Sequence, residues 1–142
     1  AALENDNESR HIVVEHLRAL RPRVVVTHWK VGRHRDHRVA SELVRDACFL
    51  GALKELDVPG EPFRPTKLIY ATAFCEDAVP PDFVVDISEH IEAKLKAINA
   101  YGSQFAGVNQ AGEAFPGGDR PLMDQIRAQL AHYGSLIRVP YG

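Results

Sequence analysis

The sequence lacks the features that mark several large protein classes. Its 17 Lys and Arg residues do not outnumber its 19 Asp and Glu residues, and the formal net charge is -2. A nucleic-acid-binding domain normally has a basic face or tail, so we expect no nucleic-acid partner. No apolar run approaches the roughly 20 residues that cross a bilayer, and residues 1–11 are polar and acidic, unlike a signal peptide. We therefore expect no membrane segment.

Cysteine is scarce as well. Cys48 and Cys75 are the two cysteines of the chain, and their spacing fits neither a short metal-binding motif nor a disulfide-rich scaffold. We interpret both as reduced, structural thiols and expect a cytoplasmic protein.

The chain does have the size and composition of one globular domain. It has 142 residues, a length that is sufficient to bury a core. Its composition, 45% hydrophobic and 25% charged, is ordinary for a globular domain. Short apolar strands alternate with amphipathic helices, which predicts an α/β fold with a mainly parallel sheet. The first predicted elements are a helix capped by Asn7 or Ser9 and ending near Leu20, a strand at 23–27 and a helix from near His37 to Leu50. Strands at 67–72 and 83–87 follow, and then a helix capped by Ser88 that runs to Tyr101. The last helix is predicted from Pro121 to about Tyr133, with Gly134 as its left-handed end and an extended tail at 135–141.

Titratable residues are concentrated between the first strand and the second helix. Residues 27–38 read T-H-W-K-V-G-R-H-R-D-H-R and contain His28, His34, Asp36 and His37. Ligands gather at the carboxyl ends of strands in α/β folds. The spacing of His34 and His37 allows both rings to share one face of a helix start, and Asp36 could fix an imidazole tautomer. This segment is therefore a candidate site.

The spacing alone leaves other interpretations open. A solvated, charged helix start explains His34, Asp36 and His37 equally well. A zinc site needs at least three protein ligands, and this cluster supplies one or two. His28 closes a buried strand, where a histidine is more often a packing residue than a ligand, and Trp29 could line a sugar site or pack on the next helix.

Several longer stretches share this context. They are R-P-R-V-V-V-T-H-W at 21–29, H-R-D-H at 34–37, P-D-F-V-V-D-I-S-E-H-I-E-A-K-L-K-A-I-N-A-Y-G-S-Q-F at 81–105 and Y-G-S-L-I-R-V-P-Y-G at 133–142. In this order they resemble the PIG-L-like (LmbE-like) family of zinc-dependent N-acetylglucosamine deacetylases, with H-R-D-H at the family's H-x-D-H motif. The resemblance implies a Rossmann-like three-layer α/β fold and a hydrolase that removes acetate from an N-acetylglucosaminyl conjugate.

The resemblance also implies roles for the motif. It places zinc binding on His37, stabilisation of the oxyanion and protonation of the amine on His34, and orientation of the imidazole on Asp36. Two positions depart from the family pattern: Arg35 stands where proline is usual, and Gly32 where many members have Asp or Tyr.

The resemblance is incomplete at its start. Family members begin with a strand ending in A-H-P-D-D, which supplies two zinc ligands and the general base, and nothing in residues 1–142 matches it. We therefore interpret the chain as one domain, the C-terminal two-thirds of a deacetylase, and expect it to be inactive by itself. The alternatives are a non-catalytic sugar-binding or scaffold domain of the same fold, and another metal-dependent amidohydrolase completed by a second chain. The sequence does not identify the group attached to the sugar of the substrate. A homo-oligomer is possible, but the sequence does not specify the oligomeric state.

Overall fold

The chain forms a mixed α/β structure with two parallel strands and four α-helices in its described residues. The computed structural model describes residues 3–32, 34–71, 79–101 and 121–142. Its elements are α1 (Asn7–Leu20), β1 (Val24–His28), α2 (Arg35–Leu50), β2 (Lys67–Ala71), a 3₁₀ turn (Ser88–His90), α3 (Ile91–Asn99) and α4 (Leu122–Leu136). They divide into an N-terminal unit, Ala1–Val79, and a C-terminal unit, Pro80–Gly142.

In the N-terminal unit, both helices pack on one face of the sheet. The strands run parallel, with Val24 beside Lys67 and His28 beside Ala71. The buried core is formed by Val14, Leu17, Ala47, Cys48 and Val58, with Val25 and Leu68 packed against it. The opposite face carries Val24 and Val26, which are 48% and 63% exposed. This pairing fixes the ends of both strands next to the start of α2.

The boundaries of α1 follow from its caps. Its N-cap is Asp6, not Asn7 or Ser9 as the sequence predicted, because the Asp6 carboxylate accepts a hydrogen bond from the Ser9 N–H at 2.8 Å. This bond and its companion from the Ser9 side chain hold the pKa of Asp6 below its ordinary value. The helix ends at Leu20, and its C-cap Arg21 adopts the left-handed conformation (φ 47°) and precedes Pro22.

Arg18, in α1, binds the loop that follows α2. Its side chain is buried, with a residue exposure of 5%. The guanidinium donates to the carbonyls of Gly51, Leu53, Val58 and Gly60. A buried cation of this kind is tolerated because its donors are paired. Gly60 is required at its position, since φ is +92° and an added Cβ would lie 2.9 Å from the Cβ of Arg18.

The C-terminal unit departs from the sequence prediction in two places. Residues 83–87 were expected to form a strand, but they form no strand in the described part of the chain. Phe83 and Val85 point to solvent, whereas the backbone N–H of Ile87 bonds to the Tyr141 carbonyl at 3.1 Å. Apolar alternation alone could not distinguish a strand from this extended segment. Ser88 begins a 3₁₀ turn without a side-chain cap, and α3 ends at Asn99.

The end of α4 is the second departure. Gly134 was predicted as its left-handed end, but the helix continues to Leu136. The glycine is needed because residues 139–142 fold back over it: a Cβ there would lie 2.6 Å from the Val139 carbonyl oxygen and 2.7 Å from the Tyr141 nitrogen. Residues 135–141 are accordingly a helix end and turn, and not the extended tail that was expected.

Some predictions fall outside the described residues. These are the end of the second strand at Thr72 and the state of Cys75. Cys48 is a buried free thiol. No helix in the described ranges is both long and apolar enough to cross a membrane.

The contacts of Arg18 predict that this side chain stabilises the N-terminal unit. Arg18→Met should lower the free energy of unfolding by about 2–3 kcal/mol, because each buried carbonyl left without a donor costs roughly 1–3 kcal/mol and the loop regains part of this from water. Urea denaturation measures the change. Arg23→Met, at an exposed arginine of the same unit, is the control and should stay within about 0.5 kcal/mol. Equal losses in the two variants would contradict this role of Arg18.

Candidate functional site

The first turn of α2 begins at a histidine that caps it. His34 is the N-cap, and its Nδ1 accepts a hydrogen bond from the Asp36 backbone N–H at 3.2 Å. The first backbone N–H groups of a helix have no partner within the helix, so an N-cap side chain stabilises the start. Because Nδ1 uses its lone pair as an acceptor, the neutral ring carries its proton on Nε2. The capping bond therefore assigns the tautomer of His34.

Three imidazoles meet at this junction. The ring of His37 stacks on the ring of His28, with centroids 4.2 Å apart and planes within 5°. The rings of His34 and His37 lie 5.0 Å apart at 34°. We call His28, His34 and His37 the imidazole cluster. The structure thus brings together the two predicted histidines and adds His28, for which the sequence favoured a packing role.

Asp36 acts on His34 through its backbone. The sequence predicted that its carboxylate would orient an imidazole. Among the described residues, the carboxylate instead accepts hydrogen bonds from the Leu3 N–H at 3.4 Å and from Arg35 at 3.3 Å. The physical reason is the position in the helix: two residues after the N-cap, the N–H faces the capping side chain.

The electrostatics of the cluster favour a neutral His37. His37 is exposed, but its partial desolvation lowers its pKa, the neighbouring imidazoles of His28 and His34 lower it further, and the Asp36 carboxylate acts in the opposite direction. A neutral imidazole has the free lone pair that a metal ligand requires. The lowered pKa of His37 therefore favours the form of its ring that can bind a metal.

The described residues fit only part of a zinc site. In residues 3–32, 34–71, 79–101 and 121–142, no group of three or more His, Cys, Asp or Glu side chains is arranged to hold a metal ion. Imidazole nitrogen is a preferred zinc donor, and a catalytic zinc takes three protein ligands. The donor chemistry of the cluster suits zinc, but further ligands are needed.

An aromatic pair, of which the sequence indicated one member, lies at the same end of the sheet. Trp29 follows His28 directly, and its ring meets the ring of Tyr70 edge-on at 6.1 Å. Tyr70 belongs to β2 and is in register with Thr27. The ammonium of Lys30 lies 4.8 Å from the Tyr70 ring centroid and 5.8 Å from that of Trp29. The sequence suggests a sugar-binding role for Trp29, whereas the position of Tyr70 follows only from the strand pairing.

A separate cavity does not include these groups. It has a volume of about 630 Å³ and lies between α1, the second half of α2 and the start of β2. Arg10 and Arg45 line it, and both pair with Asp46, at 3.8 and 3.3 Å. These two arginines are thus paired within the protein. The candidate site is therefore the imidazole cluster at the carboxyl ends of the strands.

Fold and site together define a mixed α/β protein with an imidazole cluster at a strand–helix junction. No family model matches the chain. Among solved structures, the chain is similar to the conserved protein TT1542 from Thermus thermophilus, with a TM-score of 0.79 and 32% sequence identity. The match covers 98% of this chain and 57% of TT1542, so the chain spans little more than half the length of that protein.

The stacking of the His28 and His37 rings predicts a change in the pKa of His37 that can be measured. His37 should titrate below the ordinary pKa of histidine, about 6.5, and His28→Ala should raise its pKa, because the substitution removes both a burying surface and a repelling charge. NMR of the imidazole signals against pH measures this. His16→Ala, at an exposed position of α1, should leave the pKa unchanged. The interpretation would be wrong if His28→Ala left the pKa of His37 where it was.

Proposed function

We propose that this chain is part of a zinc-dependent N-deacetylase of the PIG-L-like type, which removes acetate from an N-acetylglucosaminyl conjugate. The observation that carries the proposal is the capped His34 within the imidazole cluster. Its Nδ1 is held by the Asp36 N–H at 3.2 Å, and its ring lies 5.0 Å from that of His37. This pair places a hydrogen-bond donor at Nε2 of His34 beside an imidazole that could ligate a metal, and hydrolysis of an amide at a metal uses both kinds of group.

The roles divide between the two histidines. His37 would hold the zinc, which lowers the pKa of bound water to about 7 and polarises a carbonyl. His34, with its proton on Nε2, donates a hydrogen bond to the oxygen of the acetamide as negative charge develops there. His34 can protonate the leaving amine only as an imidazolium. In that form Nδ1 gives up its bond to the Asp36 N–H, so the capping bond favours the donor role over the acid role.

The proposed complete fold is Rossmann-like with three layers. Parallel sheets are normally covered by helices on both faces, whereas Val24 and Val26 leave one face of this sheet exposed. The described residues contribute two strands to the sheet, and most sheets have about four to six. The match covers 57% of TT1542, so that protein has further residues outside the matched region. A longer chain of this kind has room for additional strands and helices. In the proposed enzyme, these carry the A-H-P-D-D segment with the other zinc ligands and the general base.

The proposal predicts distinct defects at the three motif residues. They are to be tested in the chain joined to an A-H-P-D-D segment, with the unjoined chain as an inactive reference. His37→Ala should lose zinc and activity together, because a three-ligand site loses a ligand. His34→Ala should keep zinc, while kcat falls about 10²–10⁴-fold. Asp36→Asn should cause a milder loss, since its backbone N–H still holds His34. Zinc content and kcat on one acetylated glucosaminide are the measurements.

The outcomes separate the proposal from its alternatives. His16→Ala on α1 is the matched control and should retain both zinc and activity. Loss of zinc in His34→Ala with zinc retained in His37→Ala would reverse the two roles. Full activity in all three motif variants would rule out the deacetylase mechanism, and substrate binding without turnover in the joined chain would favour a non-catalytic sugar-binding domain.

A further inference from the structure

The cavity between α1, the second half of α2 and the start of β2 has the size of a small-molecule site. Its volume is about 630 Å³, within the range of about 300–1,000 Å³ that such sites have. Thr66, which lines the cavity, precedes β2, whereas His28 of the imidazole cluster pairs with Ala71, the last residue of that strand. About 16 Å of strand separates Thr66 from Ala71. A ligand in the cavity therefore occupies a place separate from the imidazoles.

The side chains around the cavity leave an excess of positive charge. Among the described residues that line it are three arginines, whereas Asp46 is the single acid. Arg10 and Arg45 both pair with Asp46, at 3.8 and 3.3 Å. In the part of the chain that the structure describes, no carboxylate pairs with Arg64, whose guanidinium lies 5.9 Å from the centroid of the Phe49 ring. The Arg64 charge is therefore available to an anion.

Apolar side chains form much of the remaining wall, namely Cys48, Phe49, Leu50, Pro65 and Leu68. The Phe49 side chain offers a contact surface, since this residue is 56% exposed. Burial raises the pKa of the Cys48 thiol, and the Arg64 charge acts in the opposite direction, so the guanidinium acts on the cavity side of α2. A guanidinium can bind a carboxylate or a phosphate through two parallel hydrogen bonds. This lining suits a ligand that has both an anionic group and an apolar part.

We propose that this cavity binds a small organic anion, in which a carboxylate or a phosphate is attached to a compact apolar body. Arg64 pairs with the negative charge, and the ring of Phe49 contacts the apolar body. The site does not depend on the proposed deacetylase function. An anionic ligand should bind about two- to fivefold more tightly than its neutral analogue, which is the range expected of an exposed ion pair.

NMR titration of residues 1–142, followed at the backbone amide signals, tests the proposal. The probes are phenylpropionate, its neutral amide phenylpropionamide, phenyl phosphate and inorganic phosphate. Phenylpropionate should shift the signals of the cavity residues saturably and bind more tightly than the amide by the factor given above. Phenyl phosphate should bind more tightly than inorganic phosphate, because its ring buries apolar surface against the wall. Saturable binding of either aromatic anion at the cavity supports the site, and the tighter of the two identifies the preferred anion.

Two variants and a matched control separate the charge from the apolar wall. Arg64→Gln should bind phenylpropionate with the affinity of the amide, because the charge is removed. Phe49→Ala should weaken the binding of phenylpropionate and of its amide alike. Arg21→Gln is the control, since Arg21 also lies on a phenylalanine ring, 4.6 Å from the centroid of Phe63, but does not line the cavity. This variant should preserve the preference for the anion.

The absence of a saturable shift with both aromatic anions, or shifts confined to the imidazole cluster, would overturn the cavity site. Equal binding of phenylpropionate and its amide, or equal losses in Arg64→Gln and Arg21→Gln, would overturn the role of the Arg64 charge. Equal binding of phenyl phosphate and inorganic phosphate would overturn the apolar body. These measurements need neither zinc nor turnover, so their failure is distinct from a failure of the deacetylase assay.

Discussion

The hydrogen bond from the Asp36 N–H to Nδ1 of His34 is the interaction on which the candidate site depends. It starts α2 one residue after His34 and sets which nitrogen of that ring carries the proton. The same helix start places His37 one turn along, where its ring stacks on His28 at the end of β1. This bond caps the helix, and in the proposed mechanism it also fixes the hydrogen-bond donor.

The sheet explains why these groups meet. The parallel pairing of β1 and β2 brings their carboxyl ends to one edge, so that His28 and Tyr70 belong to neighbouring positions although they are distant in sequence. Arg18 and the core around Val14 hold α1, α2 and the following loop on one face of the sheet. The exposed Val24 and Val26 on the other face are the surface that further strands and helices of the proposed complete domain would need.

The local pattern of the sequence predicted β1, α2 and β2 closely, since branched apolar runs and helical spacing are strong signals. It also predicted that His34 and His37 could share a face. It was wrong about a strand at 83–87 and about Gly134, because apolar alternation and glycine each have more than one structural cause. The role of the Asp36 backbone, the stacking of His28 and the position of Tyr70 depend on cap geometry and strand pairing, which spacing in the sequence does not specify.

The proposed mechanism requires that His37 binds zinc while His34 remains a hydrogen-bond donor. Anomalous diffraction at the zinc edge, from crystals of the chain joined to an A-H-P-D-D segment, tests it most directly. We expect one zinc about 2.0–2.1 Å from a ring nitrogen of His37, with Nδ1 of His34 still bonded to the Asp36 N–H. Zinc bound by His34, or zinc bound away from both histidines, would contradict it.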